Sequence, residues 1–317
     1  MSRGIAGRTK FAWETARLAL EPLAGEPQKP ILARPGELGV TFIGHASFLI
    51  QIAGKNILID PVFSKWLVVL RRVRRPGVDV NDLPPIDYVL QTHAHMDHLS
   101  VRSLRAVIDR TRALGRRAPE IIVPEGVEDL VSHLGFRQVH TMRWWQQFTR
   151  GSVSIVMTPA QHWGKRYFHD DHRGYGGYVI QSGPHSLYHS GDTAYFSGFH
   201  DIARLQPKIA LLPIGAYNPD LFRSVHTTPE DALQAFLDVR AERMIPMHYG
   251  TFRLSMEPID EPLPRLLAAA RNAKVAERIS TLREGETALI RSSADLQTYP
   301  HSRMAGEPPQ LSSFQSQ

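Results

Sequence analysis

Ten consecutive residues, Gln91-Thr92-His93-Ala94-His95-Met96-Asp97-His98-Leu99-Ser100, constrain this chain more tightly than any other stretch in it. They follow the apolar run 86–90, whose length and β-branched content predict a buried strand. The chain therefore leaves a sheet and at once presents four donors. His93 and His95 lie two apart, so at a strand end their side chains project to the same side, and a tight turn after them brings Asp97 and His98 back toward them. Imidazole nitrogens with a carboxylate suit a borderline cation such as zinc.

Composition narrows the chemistry. The chain contains no cysteine, which excludes disulfides, thiolate metal sites and cysteine nucleophiles, so any metal is held by histidine and carboxylate. A formal charge of +6 over 317 residues favours anionic partners: phosphate esters, nucleic acid or an anionic membrane surface. In residues 1–20, Glu14 and Arg17 interrupt the apolar residues, so no signal peptide is expected. No stretch reaches the ~20 apolar residues that cross a bilayer. The expected location is the cytoplasm, peripheral to the inner face of the membrane.

In chain order, 10–23 predicts a short amphipathic helix, and 22–36 a linker. Strands are predicted at 40–43, 46–52 and 57–59, antiparallel to one another and ending at Asp60-Pro61. In 62–83, Trp66-Leu67-Val68-Val69-Leu70 runs into Arg71, Arg72, Arg74 and Arg75 with no acid between them. Two readings stay open: a covered loop with a solvated charged edge, or a surface meeting lipid tails and headgroup phosphates together, with Trp66, Arg71 and Arg72 touching substrate. Helices are predicted at 101–112 with a cap at Leu99-Ser100, and at 127–134 closed by Gly135. Strands are predicted at 121–124, 139–142, 153–158, 177–181, 186–189, 209–213, 244–247 and 287–290, with helices at 229–237 and 262–273. Three further donors fall just past strand ends: His162, Asp192 and His248. Loops at one edge of a sheet are where sites are usually assembled.

Seven donors result: His93, His95, Asp97, His98, His162, Asp192 and His248. One zinc needs about four; seven suffice for two ions only if a carboxylate is shared, which Asp192 can do through its two oxygens. A solvent hydroxide between two such ions would be the nucleophile. Two Zn²⁺, two aspartates and one hydroxide leave about +1, which a singly charged phosphodiester neutralises. Iron or manganese suits the same donors. His226, outside that count, is a candidate for binding substrate phosphate or protonating the leaving oxygen. Asp60 and His45 are expected to orient ligands or fix turns.

The pattern His93-x-His95-x-Asp97-His98 followed by His162, Asp192 and His248 resembles the metallo-β-lactamase superfamily. Longer strings narrow the likeness: Gly44-His45-Ala46, Ile59-Asp60-Pro61-Val62-Phe63, Pro159-Ala160-Gln161-His162-Trp163, Gly191-Asp192-Thr193-Ala194-Tyr195-Phe196, Pro213-Ile214-Gly215-Ala216-Tyr217 and His248-Tyr249-Gly250-Thr251-Phe252. Together they resemble the N-acylphosphatidylethanolamine-hydrolysing phospholipase D branch over about residues 35–265. The resemblance implies an α/β fold, a four-layer αββα sandwich, and zinc-dependent hydrolysis of N-acylated phospholipids to phosphatidic acid and N-acylethanolamine. It implies one zinc on His93, His95, His162 and Asp192, a second on Asp97, His98, Asp192 and His248, and a phosphate-side role for His226. Asp97, Asp192 and His226 are then the catalytic set. The chain departs from the branch at Ala94 and Met96, where bulkier residues are common, and at Tyr249, where a tryptophan is.

The resulting division is 1–35 as helix and linker, 36–292 as the catalytic domain and 293–317 as a disordered tail. The alternative activity is hydrolysis of a small soluble ester, such as a sugar lactone phosphate, on the same scaffold. No nucleic-acid partner is expected, because no recognition module or aromatic-basic interleaving appears.

Overall fold

The computed structural model describes residues 2–167, 169–291 and 295. The expected tail, 293–317, lies outside the described residues apart from Asp295. The chain begins with α1 (Ser2–Leu20), followed by β1 (Leu38–Gly44), β2 (Ser47–Ile52) and β3 (Lys55–Ile59). A two-residue turn joins β4 (Trp66–Leu67) to β5 (Leu70–Arg71), and then come β6 (Tyr88–Leu90), α2 (Val101–Ala113), β7 (Glu120–Pro124) and β8 (Gln138–Met142). The second half holds β9 (Gln147–Arg150), β10 (Val153–Thr158), β11 (Gly177–Ser182), β12 (His185–His189), α3 (Phe199–Ile202), β13 (Ile209–Pro213), α4 (Pro229–Val239), β14 (Arg243–Met247), α5 (Pro262–Asn272) and β15 (Thr287–Ile290).

One sheet has the order β15-β1-β2-β3-β6-β7-β8 and the other β14-β13-β12-β11-β10-β9. Strand alternation explains how they stack. Phe48, Ile50 and Ile52 of β2 and Ile57 and Ile59 of β3 join a buried cluster with Ile155, Met157, Tyr178, Ile180 and Leu211 of the other sheet. The intervening Leu49 and Leu58 point the other way, into a cluster with Leu104, Val107 and Ile108 of α2. On the far side, Val179, Tyr188, Ala210 and Leu212 pack with Leu233 and Phe236 of α4 and Leu266 of α5. Both faces of the central strands are covered, so these strands read as nearly continuous apolar runs. This is the expected αββα sandwich. Burying each such Leu, Ile or Phe contributes about 1.5–3 kcal/mol before entropy is counted.

Strand direction places the site. β1 and β3 both run antiparallel to β2, and β6 runs parallel to β3. In the second sheet β10 and β12 are both antiparallel to β11, while β13 and β14 are parallel to β12. The C-terminal ends of β1, β3 and β6 therefore lie along one edge, and those of β10, β12 and β14 along one edge of the partner sheet. Those ends carry His45, Asp60, the 93–98 cluster, His162, Asp192 and His248.

Several local expectations change. Residues 127–134 form two short 3₁₀ turns, Glu128–Leu130 and Ser132–Leu134, ended by left-handed Gly135 at φ 98°. Val127 and Val131 are fully buried there, and β-branched residues tolerate an irregular coil better than an α-helix interior. β9 escaped prediction because it is an exposed, polar edge strand held by pairing to β10. The helix expected at 10–23 instead spans Ser2–Leu20. No helix among the described residues is long and apolar enough to cross a membrane.

Candidate metal centre

Local geometry puts each donor where it is. The chain after β6 turns sharply, with the His98 and Leu99 amides both donating to His95 O at 3.1 and 2.8 Å. Ser100 then caps α2 by accepting from Ser103 N. His45, Asp60 and His248, each directly after a strand, adopt left-handed φ values of 60°, 43° and 60°. Such a conformation costs a non-glycine residue about 1–2 kcal/mol. Neighbours hold it in place: His45 N donates to Thr251 Oγ1 (2.9 Å), His248 N to His45 O (2.8 Å) and Asp60 N to Leu90 O (3.0 Å). Gly191, just before Asp192, has φ 63°, and a Cβ there would lie 2.7 Å from Gly176 O.

All seven predicted donors meet. Asp192 Oδ2 lies 3.0 Å from His248 Nε2, 3.2 Å from His98 Nε2, 3.9 Å from His162 Nε2 and 4.0 Å from His93 Nε2. His95 Nδ1 lies 2.9 Å from His93 Nε2 and 3.2 Å from His162 Nε2. Asp97 Oδ2 lies 3.0 Å from His45 Nε2, 3.4 Å from His248 Nε2 and 3.7 Å from His98 Nε2. Two compact sets emerge, His93-His95-His162-Asp192 and His45-Asp97-His98-His248, each with one ligand atom per residue inside 4.8 Å. His226 joins Asp192 and His248, its Nδ1 3.9 Å from Asp192 Oδ2.

The outward-facing nitrogens fix the protons. His162 Nδ1 faces Val225 O at 2.9 Å; a carbonyl only accepts, so Nδ1 carries the hydrogen and Nε2 turns a lone pair inward. Thr92 Oγ1 gives its hydrogen to Asp60 Oδ2 at 2.5 Å, which leaves it to accept from His93 Nδ1 at 2.9 Å. His98 Nδ1 lies 2.7 Å from Asp60 Oδ2. Asp60 Oδ1 accepts from Gln91 Nε2 and Thr92 N. Thus one buried carboxylate aims His98 directly and His93 through a hydroxyl, the outer arrangement typical of histidine ligands.

The donor set fits a cation. His95 Nδ1 carries one hydrogen at most, so it cannot donate to both His93 Nε2 and His162 Nε2; at least one pair of lone pairs faces the same space. Asp192 Oδ1, His98 Nε2, His248 Nε2 and His226 Nδ1 are buried with no hydrogen-bond partner among the described residues. Burial pushes His93 and His162 well below the usual imidazole range, and pushes His226 to about 4. Burial would do the same to His98 and His248, but Asp192 and Asp97 override it, holding His98 well above that range and His248 at about 9. Asp97 and Asp192, despite burial, are held well below the carboxylate range by the facing histidines.

The proposed substrate residues of 66–75 do not gather here. Arg71 donates to Leu18 O and Glu21 O at the end of α1. Arg72 is fully buried, its guanidinium 5.2 Å from the Phe252 ring and brought to about 10 by burial. Arg74 approaches Glu284 at 3.7 Å, and Arg75 pairs with Glu26 at 2.7 Å. The sequence run is basic, but alternate side chains leave in different directions, so it forms no single charged edge. Trp66 stays half exposed, on the hairpin.

Two further residues shape the site without having been assigned a part. Trp163 stacks on His162 with centroids 4.7 Å apart and meets His95 edge-on at 5.3 Å. Arg166 donates to Ala94 O at 2.7 Å and Leu99 O at 2.9 Å, bracketing the histidine turn. Trp163 stood next to a predicted donor; for Arg166 the sequence carries no signal, because the contact spans a loop.

A profile described as Beta-lactamase superfamily domain matches residues 55–249. An uncharacterised protein of Mycobacterium tuberculosis is 33% identical over 280 residues, covering 82% of this chain and 73% of its own length. N-acyl-phosphatidylethanolamine-hydrolyzing phospholipase D 1 of Caenorhabditis elegans is 29% identical over 267 residues, covering 75% and 72%. Among solved structures, a metallo hydrolase from the archaeon Ignicoccus hospitalis aligns with a TM-score of 0.62 at 25% identity, covering 80% of this chain and 98% of its own.

Proposed function

We propose that this chain, which belongs to the beta-lactamase superfamily and is a metal-dependent hydrolase, cleaves the phosphodiester of N-acylated phosphatidylethanolamine with two divalent cations, zinc in the first instance. The observation that carries this reading is the single carboxylate of Asp192 standing between two nitrogen-rich donor sets. His93, His95, His162 and Asp192 would hold one ion, and Asp97, His98, His248 and Asp192 the other. Bound there, the ions supply Lewis acidity and lower the pKa of water from 15.7 to about 7.

The protein's own groups do the rest. Asp60 keeps the lone pairs of His93 and His98 turned inward, and His45 holds Asp97 from the other side. His226, neutral at pH 7 with its value near 4, suits hydrogen bonding to a phosphate oxygen better than proton delivery. Water attacks phosphorus, the bond from phosphorus to the ethanolamine oxygen breaks, and that oxygen leaves with a proton, giving phosphatidic acid and N-acylethanolamine. The lipid part is supported by the likeness to the nematode phospholipase D. The cytoplasm, at the inner membrane face, is the proposed location.

The test is elemental analysis of the purified protein followed by turnover of N-acylphosphatidylethanolamine in mixed micelles and of a phosphorylated lactone in solution. Two equivalents of metal with release of N-acylethanolamine are expected. Turnover of the soluble ester alone would end the lipid reading, and metal-independent turnover would end the whole proposal.

A further inference from the structure

We propose that α1 and the β4–β5 hairpin form one docking surface for an anionic lipid bilayer. The idea rests on the lipid reading above only for why the enzyme would approach a membrane; the surface itself is argued from its own residues. α1 lies outside the matched superfamily region, 55–249.

The hairpin tip breaks a local rule. Val68 has φ 51° and is 73% exposed, and Val69 is 76% exposed, with Trp66 beside them at 46%. A positive φ at the first position of a two-residue hairpin turn calls for glycine, and a β-branched residue is badly strained there. Among the described residues, no packing covers these side chains. Beneath them the hairpin is fixed: Leu67 and Leu70 pack with Val62, Phe252 and Leu254, and Phe252 meets His45 edge-on at 5.2 Å. The apolar tip is therefore held rigidly and joined by direct packing to the metal centre.

α1 extends this surface. Arg71 of the hairpin donates to Leu18 O in the last turn of the helix and to Glu21 O just past its end, and Arg253 pairs with Glu14 and stacks on Phe11 at 5.3 Å. Those clamps leave Trp13 and Leu20, seven residues apart and so on one helical face, 66% and 88% exposed. The residues before Glu14 include Arg3, Arg8 and Lys10 and no acid. An exposed Trp-Leu face on a basic helix, beside an aliphatic tip, matches the bilayer interface: aromatic and branched side chains for the acyl boundary, cations for anionic headgroups. A second protein copy would supply no reason for that charge.

The test uses full-length, metal-loaded protein sedimented with vesicles of phosphatidylcholine, with and without phosphatidylglycerol. Tight binding to the anionic vesicles, weaker by about tenfold or more on neutral ones, is expected from attraction of this order per basic residue. V68G/V69S, whose turn fits the backbone better and so keeps the fold, should bind about tenfold more weakly to both. R3S/R8S/K10S should lose the preference for anionic vesicles. Metal content and turnover of a soluble diester should be unchanged in both variants. Wild-type binding by both variants overturns the proposal. So does a wild-type protein that hydrolyses the lipid in micelles yet binds neither vesicle, an outcome that leaves the lipid reading standing. Vesicle binding lost as predicted in a protein that never hydrolyses the lipid upholds the surface and removes only the substrate. A dimer that V68G/V69S dissociates, with no vesicle binding, would make the face a self-interface and overturn the proposal.

Discussion

The two donor sets of the centre use the same residue types, and their surroundings treat them oppositely. His93 and His162 are backed by a hydroxyl and a carbonyl, and burial depresses their basicity. His98 is backed by the Asp60 carboxylate, and with His248 it faces Asp97 and Asp192, so both are raised. His95 and His98, three positions apart in one turn, thus shift in opposite directions. The difference teaches that the facing carboxylates of Asp192 and Asp97, more than the imidazole itself, decide whether a metal must displace a proton to bind.

The largest expected effect erases the contrast. Asp192→Asn removes the carboxylate that faces histidines of both sets, so turnover should vanish and bound metal fall below two equivalents by elemental analysis, with the circular dichroism of the fold retained. Full activity with both metals present would refute the shared carboxylate. Asp60→Asn should sharpen the contrast, lowering metal affinity about 10–100-fold in chelator competition, chiefly for one of the two equivalents. Equal weakening of both would show that its link to His93 through Thr92 matters as much as its direct bond to His98.

A pH titration separates the sets without mutation. His248 sits at about 9 in the metal-free protein, up from 6.5, so uptake at its set should strengthen as pH rises toward about 9 with release of a proton. His93 and His162, already neutral at pH 7, should leave their set nearly flat above it. The sign for stability is opposite: a raised folded-state value stabilises the metal-free protein below about 6.5, and that contribution disappears as pH climbs through about 9. A metal-free Tm that rises over this window would contradict the ion pairing of His248 with Asp192 and Asp97. The smallest effect belongs to Thr92→Val, which cuts only the relay to His93; metal affinity should fall by less than tenfold, and at the other set alone.

Much of the architecture was readable in advance because it is local. Alternating or continuous apolar runs marked β2, β3, β10, β13 and β15, and the helix expected at 229–237 falls on α4, whose start the structure closes with a capping box of Thr228 and Asp231. What escaped was non-local or polar: β9 exists only through its pairing with β10, and the valines of 127–134 bury themselves without a helix. The partners of the arginine run were illegible for the same reason, since a string of charges does not say which acid, carbonyl or ring each will meet.

The sequence by itself determined the donor types and their delivery at strand ends, because two-residue periodicity and turn chemistry act over a few bonds. Only the tertiary structure decided that His45 faces Asp97 beside His98 and His248, that Asp60 serves His93 as well as His98, and which histidines hold protons. Those outcomes depend on distances of a few ångströms between residues tens to more than a hundred positions apart, and on how fully each is withdrawn from water, quantities that exist only once the two sheets have closed on each other.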